Sequence, residues 1–306
     1  MKIAALAGGV GGSKLAYGLA RVLPVHDLTI IVNTGDDFEH LGLHISPDLD
    51  TVCYTLAEIE NPVKGWGRRD ETYNFLECLK SIGGPDWFML GDRDLATHIE
   101  RTKRLREGQL LHQITFDFCR AWGVQHTVLP MSNDPIRTMV ITKNDGILPF
   151  QEYFVHRNCE PEVRGFRFEG SKFAHPAPGV LEALAQADAI VLCPSNPWVS
   201  IDPIMKVRGI RSVFSHKIVI AVSPLIAGKT IKGPAAKMFL EMGIRPSALA
   251  VANHYGDIIS GFILDRLDES LSSQIAIPVL VCDIHMNSRE KRLHLAQDVL
   301  NFIRTL

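Results

Sequence analysis

The chain is short of several things, and each shortage excludes something. Among its 306 residues the balance of charge is only −2, so neither a basic face for nucleic acid nor an acidic tail is indicated. The six cysteines, Cys53, Cys78, Cys119, Cys159, Cys193 and Cys282, include no closely spaced pair. That excludes a zinc-type spacing and a dense disulfide framework, and it fits free thiols in a reducing cytoplasm. No run of about 18 apolar residues occurs, so no membrane span is expected. The opening MKIAALAGGVGGSKL runs into glycines rather than toward a small-residue cleavage site, which is unlike a secretory signal. Internal repeats and low-complexity tracts are missing, as is any local Ser-His-Asp or Cys-His signature of nucleophilic catalysis. What remains is an ordinary globular composition, 46% hydrophobic, ample for the core of one large or two modest domains.

Residues 2–7 read as a buried strand, GGVGGSK as a glycine loop, residues 15–23 as a helix and residues 28–32 as the next strand. Such a start implies parallel strands and a right-handed crossover. The pattern returns with a helix at 180–187, strands at 189–193, 217–223, 248–252 and 278–283, and a closing helix at 288–306. Short apolar runs without alternation suit strands buried on both faces. The expected class is α/β, a doubly wound, mainly parallel Rossmann-like sheet with a large, mostly helical insertion. Residues 54–175 supply that insertion. DETYNFLECLKSIG, DLATHIERTKRLREG and LLHQITFDFCRAWG are amphipathic helical segments. VQHTVLPMS and MVITKNDGILPF read as strands, the second turning at Asn144-Asp145-Gly146. The division expected is a nucleotide-binding core of residues 1–53 and 176–306 and an inserted lobe of residues 54–175 over the sheet's carboxyl edge.

Several loops carry chemistry. GGVGGSK fails the P-loop pattern, because Ser13 precedes Lys14, and it fails the dinucleotide fingerprint, because no glycine stands at position 14. It still reads as an anion-binding loop, with Gly9, Gly11, Gly12, Ser13 and Lys14 at a helix start. NTGDDFEHLGLHISPDLDTV follows the second strand and holds Asp36, Asp37, Glu39, Asp48 and Asp50. Ligands of doubly wound sheets bind at the carboxyl ends of the strands, and carboxylates near a phosphate loop suit Mg²⁺, a hard cation that takes oxygen ligands. Asp36, Asp37 and Asp50 are the ligand candidates, while Asp48 or Asp50 is also placed to cap the helix that follows. GDRDLATHIERT follows the apolar WFML and puts Asp92, Arg93 and Asp94 at a strand end. Asp94 is placed to cap the helix there, and Arg93 to grip a carboxylate or phosphate. His98 and Arg101 share a helical face. CPSNPWVSIDP offers Ser195 and Asn196; SPLIAGKTIKGPAAKM offers Ser223, Gly228, Lys229 and Lys232. Polar loops after several strands on one edge amount to a nucleotide-sized cleft.

Taken together, AGGVGGSKL, NTGDDFEHLGLHISPDLDT, GWGRRDETYNFLE, WFMLGDRDLATHIERT, LPMSNDPIRT, PSNPWVSIDPI and SPLIAGKTIKGPAAKM resemble the 2-phospho-L-lactate transferase family of coenzyme F420 biosynthesis, over nearly the whole chain. The resemblance implies a Mg²⁺-dependent cytoplasmic transferase, a homodimer. Its donor is a guanosine diphosphate ester of lactate or enolpyruvate, and its acceptor is the ribityl hydroxyl of the deazaflavin Fo. The products are F420-0, or its dehydro form, and GMP. By motif, Asp50 and Arg93 contact Fo, with Asp92 and His98 on that side. The glycine motif, Ser195, Asn196, Ser223, Gly228 and Lys229 hold the guanosine diphosphate part. Mg²⁺ is expected on Asp36 and Asp50, and Asp36, Asp37 and Asp50 compete as general base. Asp50→Ala is expected to abolish turnover with the fold intact. The alternative is a regulator of the same fold that binds a nucleotide or sugar nucleotide without turnover. A dehydrogenase is disfavoured by the failed fingerprint and by Asn33, rather than an acid, ending the second strand.

Overall fold

The computed structural model describes residues 1–306. Seven parallel strands form its central sheet: β1 (Ile3–Ala7), β2 (Leu28–Val32), β3 (Thr127–Pro130), β4 (Ala189–Leu192), β5 (Ile218–Val222), β6 (Gly261–Asp265) and β7 (Val279–Cys282). Their spatial order is β7-β6-β5-β4-β1-β2-β3. The chain therefore winds one way from β1 to β3, then returns to pair β4 against β1, with Ile3 opposite both Leu28 and Ala189. That reversal is the switch point at which sheets of this class bind ligands. Successive β1 side chains serve opposite cores: Ala4 and Leu6 join one apolar cluster, while Ile3, Ala5 and Ala7 join the other. Burial on both faces is why the strand sequences show no alternation.

Helix α1 (Gly9–Val22) leaves β1 at once and buries Leu15, Ala16 and Leu19 on the second face, beside α2 (Pro47–Leu56) and the closing helix Arg289–Ile303. Each such leucine contributes roughly 1.5–3 kcal/mol by leaving water. Next come α3 (Asn74–Ser81), α4 (Asp92–Arg106) and α5 (Leu111–Ala121). A three-stranded antiparallel sheet, Ile147–Pro149, Arg137–Thr142 and Val163–Glu169, follows. Its first hairpin turns at the anticipated place: the Thr142 N–H donates to Gly146 O (2.9 Å) and Gly146 has φ +74°. No helix is long and apolar enough to cross a membrane.

Three expectations need correction. Residues 248–252 belong to a helix, Ala248–Tyr255, capped by Ser247, whose hydroxyl accepts from Ala250 N–H; an alanine-rich apolar run this short satisfies either period. The strand that stands there in the sheet is instead Gly261–Asp265. WFML is not a strand, and α4 begins two residues after it. Finally, β3 lies within residues 54–175 yet forms the edge of the main sheet, so that stretch is threaded into the core rather than set apart from it.

Candidate functional site

A cavity of about 830 Å³ opens at the carboxyl ends of β1 and β4. The glycine segment meets it as the first turn of α1, not as a free loop. A Cβ on Gly11 would stand 2.2 Å from Pro194 O, and one on Gly12 2.4 Å from Ser195 Oγ, so glycine is what lets α1 start against the loop after β4. Gly8 and Ser195 are bound reciprocally: Gly8 N–H donates to Ser195 Oγ (3.2 Å), and the serine hydroxyl donates to Gly8 O (2.8 Å). Gly9, Gly11 and Lys14 line the cavity; Gly12 and Ser13 are buried behind it, with Ser13 Oγ donating to Val10 O.

The N-terminus of α1 already faces a carboxylate. Asp48 Oδ1 accepts Gly9 N–H (2.7 Å) and Oδ2 accepts from Asn33 Nδ2 (2.9 Å). Burial outweighs both bonds and pushes Asp48 up to about 6. Asp36, also lining the cavity, has a buried Oδ1 without a partner. Burial first, and the charge of Asp48 second, hold it well above the usual carboxylate range. Asp37 stands apart: its Oδ2 accepts from Ser46 Oγ (2.8 Å) and pairs with His44 Nε2 (3.0 Å), and it does not line the cavity.

A second group of carboxylates sits between α2 and α4. Asp50 is held in a two-pronged pair by Arg101, with Nη1 at 3.0 Å from Oδ2 and Nη2 on Oδ1. Arg101 is 2% exposed, and although burial opposes it, the charge of Asp50 drives its pKa up. Asp94, His98 and Arg101 recur at i, i+4 and i+7 on α4, facing Asp50 and Tyr54 at i and i+4 on α2. His98 Nδ1 lies 3.3 Å from Arg101 Nη1; arginine can only donate, so the imidazole proton sits on Nε2, 3.5 Å from Asp94 Oδ1. The Tyr54 hydroxyl donates to Asp94 Oδ1 (2.6 Å).

Cations and aromatics complete the lining. Lys14, Lys64 and Lys232 all reach the cavity. Burial, then Arg292, then Lys232 lower the pKa of Lys14. Lys232 Nζ donates to Val63 O (3.1 Å) and to Lys64 O, tying two loops across the mouth. Opposite stand Trp87, Phe88, Phe150 and Phe154. Trp87 stacks on His156 (5.0 Å, 25°), Phe88 meets Phe38 edge-on (5.0 Å, 76°), and Phe150 stacks on Phe154 (5.3 Å, 10°). Such faces suit a planar ring.

Of the residues singled out from sequence, Asp36, Asp50, His98, Gly9, Gly11, Lys14, Ser195, Asn196 and Ser223 line this one cavity. The last three also shape its loops, since Asn196 Oδ1 accepts Trp198 N–H and Ser223 Oγ bonds both Leu225 N–H and O. Asp92 and Arg93 do not line it. Asp92 takes four donors from Thr72, Asn74 and Phe75, which hold it to about 2 and fasten the start of α3. Arg93 is exposed on the outer turn of α4. Gly228 lies in the turn between Leu225–Ile226 and Lys229–Thr230, Lys229 opens the second of those strands, and Lys232, three residues on, reaches the cavity in their place. Asp94 is no cap, because α4 already begins at Asp92.

No three His, Cys, Asp or Glu side chains converge as a ready-made metal cage. Mg²⁺ does not need one, since it takes one or two carboxylates together with substrate phosphates and waters. Asp36 and Asp48 fit that role: both are buried at the cavity, both are raised in pKa, and Asp36 keeps an unpartnered oxygen. Asp50 fits it poorly, because its two oxygens already face a cation, the Arg101 guanidinium, whereas the partners of Asp48 are neutral N–H groups.

The family model for 2-phospho-L-lactate transferase CofD matches residues 3–299. A phosphoenolpyruvate transferase of Streptomyces griseus is 40% identical, over 98% of this chain and 99% of its own. A 2-phospho-L-lactate transferase of Methanosarcina mazei is 38% identical, over 96% of this chain and 97% of its own. A solved structure of a UPF0052-family protein from Bacillus halodurans shares the fold, with a TM-score of 0.65 over 98% of both chains at 16% identity.

Proposed function

The chain belongs to the 2-phospho-L-lactate transferase CofD family and is a transferase; from that premise we propose that it moves a phospho-three-carbon acid from a guanosine diphosphate ester to the ribityl hydroxyl of Fo. The products are F420-0, or its dehydro form, and GMP. The observation that carries this reading is the single cavity: carboxylates and lysines at the start of α1, an aromatic wall opposite, and room for both substrates.

The guanosine diphosphate part lies along the loops after β4 and β5 and the first turn of α1, whose N–H groups and partial positive charge favour phosphate. Asp36 and Asp48 would hold Mg²⁺, which would supply positive charge to the diphosphate in a place where two carboxylates would otherwise repel it. Lys14 and Lys232 neutralise the remaining phosphate charge. The deazaflavin ring lies against Trp87, Phe88 and Phe154, and the His98–Asp50–Arg101 group orients the ribityl chain. Phosphoryl-type transfer depends mainly on such positioning and charge compensation. No nucleophilic side chain is needed: Cys193, beside the cavity loop, is buried, and burial drives its thiol far up in pKa. In this reading the protein acts as a homodimer, which light scattering tests.

The direct test is incubation with Fo, Mg²⁺ and either the lactyl or the enolpyruvyl guanosine diphosphate ester, with detection of GMP and of the phosphodiester by mass. Release of GMP dependent on Fo supports the transfer. Binding of Fo and guanine nucleotide without any product would favour the regulator instead.

A further inference from the structure

We propose that Asp94 is the residue that takes the proton from the acceptor alcohol, an assignment that rests on the transferase reading above. Four carboxylates line the cavity, and two of them have both oxygens engaged. Asp48 spends both oxygens on Gly9 N–H and Asn33 Nδ2. Asp50 spends both on Arg101. Asp36 keeps one oxygen without a partner, but that Oδ1 is fully buried and is the atom a cation would take in the reading above, so it is not presented to an alcohol.

Asp94 differs from all three. Its Oδ1 is held by the Tyr54 hydroxyl at 2.6 Å and faced by His98 Nε2 at 3.5 Å. Its Oδ2 accepts no hydrogen bond, and the side chain, 15% exposed, lines the cavity. Burial works to raise its pKa, but His98, Tyr54 and the charge of Arg101 prevail and keep it below the usual carboxylate range, so it stands ionised at neutral pH. One oxygen is thus clamped and the other is free on a charged carboxylate, which is the arrangement of an aspartate accepting a substrate hydroxyl proton during phosphoryl transfer. His98, with its proton on Nε2, is a positioning residue for that carboxylate.

The step balances. The acceptor oxygen forms a new bond to the phosphorus that carries the three-carbon acid. The bond from that phosphorus to the bridging oxygen breaks, and its electron pair leaves with GMP. The hydroxyl proton passes to Asp94 Oδ2.

Asp94→Asn keeps the volume and an oxygen for Tyr54 while removing the charge. Turnover of Fo and the guanosine diphosphate ester by the wild type comes first; without it the transferase reading itself fails, and this assignment with it. Given wild-type turnover, Asp94→Asn should lower kcat by about 10²–10⁴-fold while Fo fluorescence reports unchanged binding. Asp94→Ala should regain turnover as formate is added, because a free carboxylate replaces the missing one. Formate should leave the wild type unaffected. Wild-type kcat in Asp94→Asn, a loss confined to KM for Fo, or a lost kcat that formate cannot restore would each overturn the assignment.

Discussion

Two acidic patches face the same cavity and each draws a carboxylate from the first turn of α2, yet they differ electrically. Asp48, at the start of α2, faces the N-terminus of α1 and shares its surroundings with Asp36 and no cation. Asp50, two residues on, points to the other side of the helix and meets Arg101. The first patch is held protonated or awaits a positive ligand. In the second, Arg101 opposes the burial that still raises Asp50, and Asp94 stays ionised with one oxygen free of hydrogen bonds. Carboxylates of similar burial are sorted into a cation site and a proton-acceptor site by the placement of a single guanidinium.

The largest way to break the comparison is to remove that guanidinium. Arg101→Met leaves Asp50 buried without its partner and should destabilise the protein by about 3–5 kcal/mol, read from urea unfolding. Adding Asp50→Asn should restore much of the loss, since the uncompensated charge is what costs. The same reasoning revises the expectation for Asp50→Ala: it strands a buried arginine, so lost activity in that variant would partly be lost fold. Undiminished stability in Arg101→Met would mean that the pair does not govern the second patch.

The first patch is tested by Asp36→Asn. It should lower kcat by about 10²–10³-fold, the scale of losing one preorganised electrostatic contact. It should also erase the rise in Tm that Mg²⁺ gives the wild type. A variant that keeps its Mg²⁺-induced rise in Tm would move the cation elsewhere.

Much of this was legible in sequence, and the gaps have physical causes. The parallel sheet could be read because strands buried on both faces stay apolar throughout, as in residues 3–7 and 189–192. The cavity loops could be read because glycine, proline and asparagine gather where strands end. Residues 248–252 could not, because five apolar residues fit a helix as well as a strand. Asp94 was within reach: the helical face shared by His98 and Arg101 extends one turn back to Asp94, at i, i+4 and i+7, and that extension was the missed signal. The choice between Asp48 and Asp50 was out of reach, because it depends on which neighbour, α1 or α4, packs against each side of α2. Lys232 rather than Lys229 depends likewise on where a turn falls.

A smaller effect follows from pH. Asp48 is raised to about 6 in the folded protein, above its unfolded value near 3.9. The stability it contributes is therefore complete below about pH 4 and is lost as pH rises through 6, where the charged form must be buried. A bound Mg²⁺ favours that same charged form, so acidification should weaken it. Between pH 7.5 and 5.5 the apparent Mg²⁺ affinity should fall by roughly fourfold, following one proton on a group that titrates near 6. Thermal shift against Mg²⁺ concentration at both pH values measures it; an affinity flat across that range would place the metal away from Asp48.

Lys232 should give the smallest effect, and for a reason that sharpens the contrast between compensated and uncompensated charge. Its ammonium is exposed and rests on two backbone carbonyls, Val63 O and Lys64 O, rather than on a carboxylate. An exposed charge of this kind contributes up to about 1 kcal/mol, so Lys232→Met should raise KM for the guanosine diphosphate ester by about fivefold at most, with kcat unchanged and the difference shrinking in high salt. The variant also removes one of the positive charges that lower the pKa of Lys14. Lys14 should then hold its proton more firmly and recover part of the lost attraction for phosphate. Lys14→Met alone should cost more than Lys232→Met, and the two together more than the sum of the single losses, because the compensation by Lys14 disappears. Additive losses in KM would show that the two lysines act on the ligand independently, and that burial alone sets the state of Lys14.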